Sequence, residues 1–294
     1  MTIPVLRADR LTKRYGRRTA LSDCTLAIPP GHVVGLVGPN GAGKTTLLQL
    51  AVGMLTPTAG TIEVLDGRPG TDAAQLAKVG FVAQDTPTYA GLSIADHMRF
   101  GAHLNPGWDT RLADDRIAKL GLDLGQKAGK LSGGQRAQLA LTLAMAKRPD
   151  LLILDEPVAS LDPLARREFL QSLMAFVAEH DASVILSSHL VSDLERVCDY
   201  LIVLVDSRVR IAGEVDDLLA HHYRLSGPRR GIADPPYEVI EASHTDRQST
   251  LIVRSAEPID DASLTVEQLT MEDLVLAYMS QAATDRRPVL ETAR

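Results

Sequence analysis

The stretch Gly38-Pro39-Asn40-Gly41-Ala42-Gly43-Lys44-Thr45-Thr46 constrains this chain more than any other. It satisfies the pattern G-x-x-x-x-G-K-[ST] in full, and its context agrees. Before it stands "HVVGLVG", apolar on both faces as a buried parallel strand requires. After it, "LLQLAVGML" reads as a helix. In such a loop the glycines let backbone N–H groups turn inward around a β-phosphate. Lys44 brings a positive charge to the β- and γ-phosphates, and the Thr45 hydroxyl can ligand Mg2+. A strand feeding a phosphate loop and a helix predicts a nucleotide-binding α/β domain.

The rest of the chain fits that prediction. "VLRADRLTKRY" and "RTALSDCTLAI" read as strands, "Pro29-Pro30-Gly31" breaks the chain, and "GTIEVLDG" and "KVGFVAQ" are further strands. From about Asp85 to Lys130 the pattern is helical, with Ser93 and Asp96 forming an approximate capping box. The turn Ser132-Gly133-Gly134-Gln135 then opens an Ala/Leu-rich helix, a second place where unpaired N–H groups and the helix dipole suit an anion. "DLLILDEP", "SVILSSH" and "DYLIVLVDSRV" supply strands, separated by the helices "PLARREFLQSLMAFVAEH" and "LVSDLERVC". A last helix lies near Val215.

Strands alternating with helices imply a mostly parallel sheet with the helical block inserted. Beyond it, "RLSGPRRGIADPP" reads as a linker. A hairpin around His244–Ser249 follows, then a helix capped by Thr270 with Glu272 and Asp273 in its first turn. The expected division is a nucleotide-binding unit over 1–222 with its helical part at about 85–149, a linker over 223–236, a small α+β appendage over 237–283 and a frayed tail over 284–294.

Further candidate site residues end the strands. Leu151–Leu154 runs into Asp155 and Glu156, at the carboxyl end where parallel sheets place their sites. Asp155 would hold Mg2+ through water, and Glu156 would stand beside the attacking water as general base or water-positioner. Gln84 could ligand Mg2+ and sense a γ-phosphate, although most strand-end glutamines are merely solvated. A lone histidine such as His189 is more often a surface or core residue than a catalytic one. Tyr15 could stack on adenine, yet most exposed tyrosines do nothing specific.

Composition narrows the function classes. A formal charge of −6 over 294 residues argues against a nucleic-acid surface. Cys24 and Cys198, the only cysteines, read as reduced core thiols. "MTIPVLRADR" lacks the apolar run of a secretory signal, and no apolar run approaches the ~20 residues of a membrane span. The expectation is a cytoplasmic protein.

The order Tyr15, Gly38–Thr46, Gln84, Leu131–Gln135, Leu151–Glu156, Ser160–Asp162, His189 resembles the ATP-binding cassette (ABC) family, the nucleotide-binding subunits of ABC transporters. The resemblance covers about residues 3–220, and "LSGGQ" followed by "LLILDEP" is its most specific element. It implies a P-loop NTPase fold, a RecA-like parallel sheet with an antiparallel β subdomain and an inserted helical subdomain carrying the signature turn. It implies ATP and Mg2+ as ligands, with Tyr15 on the base and Gly38–Thr46 as Walker A. Gln84 becomes the Q-loop, Asp155 and Glu156 Walker B and the catalytic glutamate, Ser132–Gln135 the signature, and His189 the switch histidine. Asp162 is kept, but "DEPVASLD" carries Val158 and Ser160 where the family pattern has Thr and Gly.

Two cassettes of this family pack head to tail, each ATP lying between the Walker A loop of one and the signature turn of the other. The resemblance therefore implies a second cassette subunit, in the simplest case a homodimer, and a separate transmembrane permease that holds the cassettes at the inner face of the membrane. "YGRRTAL", "SSHLVSDLERVCD" and "TMEDLVLAYM" look most like the ATPase subunits of bacterial ABC-2-type exporters. The alternatives are a non-transport family ATPase acting on ribosomes or DNA, and a binding-only regulator. One uninterrupted cassette without heptads or zinc spacing speaks against the first, and intact Lys44, Glu156 and His189 against the second.

Overall fold

The structure, a computed structural model, describes residues 3–86, 88–229 and 237–285. The expected frayed tail lies almost wholly outside them, as does the linker from residue 230 onward.

Two extended strands open the chain, β1 (Leu6–Tyr15) and β2 (Arg18–Ile28), joined as an antiparallel hairpin through Gly16 and Arg17. β3 (Val33–Val37) is buried at all its residues and runs into the phosphate loop and α1 (Lys44–Ala51). β4 (Ala59–Val64) pairs with β1, completing a three-stranded antiparallel sheet in the order β2-β1-β4. After the short α2 (Ala73–Ala77), β5 (Val79–Val82) enters the main sheet.

The inserted helical block holds α3 (Ile94–Leu104), α4 (Thr110–Lys119) and α5 (Gly133–Met145). Its own apolar centre includes Ile94, Ile117, Leu131 and Leu139. The expected capping box is present. The Asp96 N–H donates to Ser93 Oγ at 3.1 Å and the Ser93 N–H to Asp96 Oδ2 at 2.9 Å, and the Ser93 hydroxyl, then the Ser93 N–H, both donating to the carboxylate, lower its pKa to about 2.

The chain returns to the main sheet through β6 (Leu151–Leu154), α6 (Pro163–His180), β7 (Ser183–Ser187), α7 (Val191–Leu194), β8 (Tyr200–Val205) and β9 (Arg208–Glu214). The sheet order is β5-β6-β7-β3-β8-β9. All its pairings are parallel except β8 with β9, the hairpin read from "DYLIVLVDSRV". Each of β3, β6, β7 and β8 is buried throughout, so the sheet is covered on both faces and its carboxyl ends converge on one edge. The helix expected over "LVSDLERVC" is confined to α7.

The appendage departs from expectation. After α8 (Val215–Ala220) comes β10 (His222–Pro228), so residues 223–228 of the expected linker form a strand. That strand lies inside an antiparallel sheet ordered β11-β12-β10-β13, with β11 (Glu238–His244), β12 (Gln248–Arg254) and β13 (Thr265–Gln268). The hairpin β11–β12 was legible, but β13, exposed at every residue, shows no alternation that would announce it. Gly227 packs closely here: a Cβ would stand 2.5 Å from Leu264 Cδ2, at the movable end of that side chain, and 3.1 Å from the Ser263 carbonyl oxygen. The closing helix α9 (Met271–Asp285) starts as expected, the Asp273 N–H donating to Thr270 Oγ1 at 3.1 Å. Its Leu274 and Val275 belong to the same apolar core as Leu194, Leu201 and Val203 of the main domain.

Candidate functional site

The phosphate loop is shaped by close approach. Gly43 has φ +111°, and a Cβ there would stand 2.3 Å from the Ala20 carbonyl oxygen. At Gly38 a Cβ would stand 2.0 Å from the Leu204 carbonyl oxygen. Gly43 is the N-cap of α1 and gives it no side-chain cap, which leaves the first N–H groups of the helix to an outside acceptor. Pro39 closes the turn by accepting the Ala42 N–H at 3.1 Å, while Ala42 itself is buried in the core.

Lys44 is only 5% exposed. Its Nζ donates to the Gly38 carbonyl at 2.8 Å and lies 3.3 Å from Glu156 Oε1. His189 Nδ1 lies 3.3 Å from Glu156 Oε2, so the glutamate stands between the loop lysine and the strand-end histidine. Glu156 adopts φ +45°, a left-handed backbone that costs a non-glycine residue about 1–2 kcal/mol. The Glu156 N–H is anchored there by donation to Ser187 Oγ at 2.8 Å.

Ser187 is one residue that sequence reasoning missed. Its hydroxyl also donates to Asp155 Oδ1 at 2.8 Å, tying β7 to the end of β6. Burial pushes the Asp155 carboxyl upward, and hydrogen bonds from Ser187 and Thr45 oppose that shift. The only signal was a pair of serines directly after the apolar run Val184–Leu186. Thr45 and Asp155, two of the oxygen donors expected to serve one cation, thus stand close enough for Thr45 to hold the Asp155 pKa down.

A cleft of about 420 Å3 runs over these groups. Tyr15, Asn40, Gly41, Gly43, Lys44, Thr45, Thr46, Gln84 and Glu156 line it, so it gathers sequence-predicted residues from the first hairpin, the loop and two strand ends. Arg18 lines it as well and was not anticipated. One face of the Tyr15 ring is covered by Lys13, whose Nζ lies 5.3 Å from the ring centroid and donates to the Thr56 carbonyl at 2.8 Å. A buried cation, N–H groups without side-chain caps, and hydroxyl and carboxylate donors on one wall fit a nucleoside triphosphate with a hard divalent cation.

Ser132, Gly133, Gly134, Gln135 and Asp162 do not line this cleft. Ser132 caps α5, accepting the Gln135 N–H at 3.2 Å, while the Ser132 N–H donates to Gln135 Oε1 at 3.0 Å. Asp162 caps α6, accepting the Leu164 and Ala165 N–H groups at 3.0 Å each. The two caps are neighbours: a Cβ on Gly134 would meet Ala165 Cβ at 3.1 Å, while one on Gly133 would meet nothing within 4 Å.

Comparison with known proteins gives the family. Residues 21–159 match the family model described as ABC transporter. The chain is 35% identical over 227 residues to the Nod factor export ATP-binding protein I of Cupriavidus pinatubonensis, a match covering 73% of this chain and 68% of that one. The lantibiotic transport ATP-binding protein SrtF of Streptococcus pyogenes is 30% identical over 214 residues, covering 72% and 92%. An import protein is similar too: the sulfate/thiosulfate import ATP-binding protein CysA 2 of Rhizobium meliloti, 33% identical over 225 residues and covering 74% and 61%. A solved ATP-binding subunit of an ABC transporter superposes with a TM-score of 0.66 at 27% identity, covering 74% of this chain and 92% of that one. The P-loop fold, the glycine cradle around a buried lysine and these relatives lead to one assignment: the chain belongs to the ABC transporter family, as one of its ATP-binding ATPase subunits.

Proposed function

We propose that this chain hydrolyses ATP at the cleft over Lys44 and works as an exporter's ATPase, as a pair of cassettes docked on a separate membrane subunit. The observation that carries the reading is the division of the machinery. Lys44, Thr45, Gln84 and Glu156 line one cleft, with His189 on the far oxygen of Glu156 and Asp155 joined to the Glu156 N–H through Ser187, while the anion-suited turn at Ser132–Gln135 is not among the residues lining it. A second copy placed head to tail would bring its turn to the open side of the first copy's phosphates.

Each residue then has a definable task. Lys44 and the uncapped N–H groups of α1 hold the β- and γ-phosphate oxygens by charge and hydrogen bonding. Tyr15, held by Lys13, offers its free face to the base. Glu156 accepts a proton from the attacking water, and His189 at its other oxygen orients the carboxylate. Thr45, Asp155 and Gln84 are the oxygen donors for Mg2+, which supplies neutralisation of charge on the phosphates. Ser132, the Gly133 and Gly134 N–H groups and Gln135 complete the site from the second copy, and Asp162 caps the helix beside that turn.

The export direction is supported by similarity to proteins named for lantibiotic transport and Nod factor export, against which stands the likeness to a sulfate importer. No helix among the described residues is long and apolar enough to cross a membrane, which is why the reading needs a separate permease at the inner face of the membrane. The test is recovery of the tagged chain from detergent-solubilised membranes of its native host. The proposal expects an integral membrane protein to co-purify in fixed proportion. Recovery with ribosomes or nucleic acid and no membrane protein would overturn the transport reading and favour a non-transport ATPase.

A further inference from the structure

We infer that Arg18 is a nucleotide-contacting residue that holds the phosphate nearest the base. The inference deepens the ATP-site reading above and rests on it. Arg18 is the direct cross-strand partner of Tyr15, the two flanking the Gly16–Arg17 turn of the β1–β2 hairpin. Residues paired directly across a ladder present their side chains on the same face. The hairpin tip therefore sends an aromatic ring and a guanidinium to one side, and that side is the cleft, which both line.

The guanidinium also reaches the phosphate loop. A Cβ built on Gly41 would stand 3.3 Å from an Arg18 Nη2, so Gly41 leaves open the space into which Arg18 points. Among the described residues no carboxylate forms an ion pair with Arg18 and no hydrogen bond holds its side chain, unlike Arg148 on Asp109 or Arg224 on Asp273. An arginine aimed at a cleft, without an acid, is suited to bind an anion through its planar fork.

The order of groups along a nucleotide then fixes which anion. Tyr15 marks the base end and Lys44, at the foot of the loop, marks the β/γ end. A cation opposite Tyr15 and beside Gly41 falls between them, at the α-phosphate. Lys44 and Arg18 would grip the phosphate chain from its two ends, and Arg18 would favour nucleotides irrespective of whether a γ-phosphate is present.

Isothermal titration of the full chain with ADP and with a non-hydrolysable ATP analogue tests this. Arg18→Ala should raise the Kd for both ligands by about tenfold, about 1.4 kcal/mol, and Arg18→Glu should raise both further. The melting temperature should not change, because Arg18 is exposed. Unchanged affinities in Arg18→Ala, or a loss confined to the ATP analogue, would overturn the inference. Lys44→Ala separates this from the parent reading. If Lys44→Ala weakens binding and Arg18→Ala does not, only the role of Arg18 fails. If neither does, the nucleotide site itself is misassigned.

Discussion

Ser187 shows how much of the site depends on a single hydroxyl. It donates to the buried Asp155 carboxylate and accepts from the Glu156 N–H, so one oxygen fixes both acids and the left-handed backbone between β6 and α6. Ser187→Ala strands a buried carboxylate and a backbone donor, a change worth roughly 1–3 kcal/mol. We expect a lower melting temperature and ATP turnover down by at least tenfold, with Ser187→Thr restoring most of both. Equal turnover in the wild type and the alanine variant would remove Ser187 from the account. The residues at fixed spacing, Lys44, Thr45, Asp155 and Glu156, were legible because their chemistry is written locally. Gln84 and His189 became legible only through the family's order of motifs. Ser187 and Arg18 were not, because their partners lie across a sheet or a hairpin and no local pattern marks that pairing.

Elements were legible where burial imposes a period. β3 and β6 are runs without a polar side chain, β8 is one after its opening Tyr200, β7 is one between two serines, and α3 carries its capping box in plain sequence. β10 was hidden by composition: Ser226, Gly227 and Pro228 look like a linker, yet they pair with β12 and, at Ser226, with β13. This strand begins with His222, which is fully buried. Its ring lies 2.6 Å through Nδ1 from the Leu218 carbonyl and 3.0 Å through Nε2 from the Tyr278 hydroxyl. Burial lowers its pKa, the Leu218 bond opposes that, Arg254 and His221 lower it further and Glu238 raises it. Burial likewise pushes the Tyr278 hydroxyl up to about 12. The folded His222 thus stays neutral below the ordinary imidazole value of about 6.5, while the unfolded chain takes up the proton. Its contribution to stability is complete above that value and is lost as pH falls toward the depressed folded one. Melting temperatures between pH 8 and pH 5.5 should fall more steeply for the wild type than for His222→Gln. Identical slopes would contradict this.

At the scale of the molecule, the α/β class and the inserted helical block follow from alternating apolar strands and amphipathic helices. The relation of the appendage to the rest does not, because α9 buries Leu274 and Val275 against residues some seventy positions earlier in the sequence. The same scale carries the central claim. One chain holds both the phosphate cleft and the signature turn, and the turn does not line the cleft; the proposed function completes the site with a second copy. Glu156→Gln keeps the shape of the carboxylate and removes the base, which should slow hydrolysis by 10²-fold or more while ATP stays bound. The most direct measurement is the solution mass of Glu156→Gln with and without ATP and Mg2+. The account predicts the 31.7 kDa monomer without nucleotide and twice that mass with it. A variant that stays monomeric with bound ATP, or turns ATP over at the wild-type rate, would contradict it.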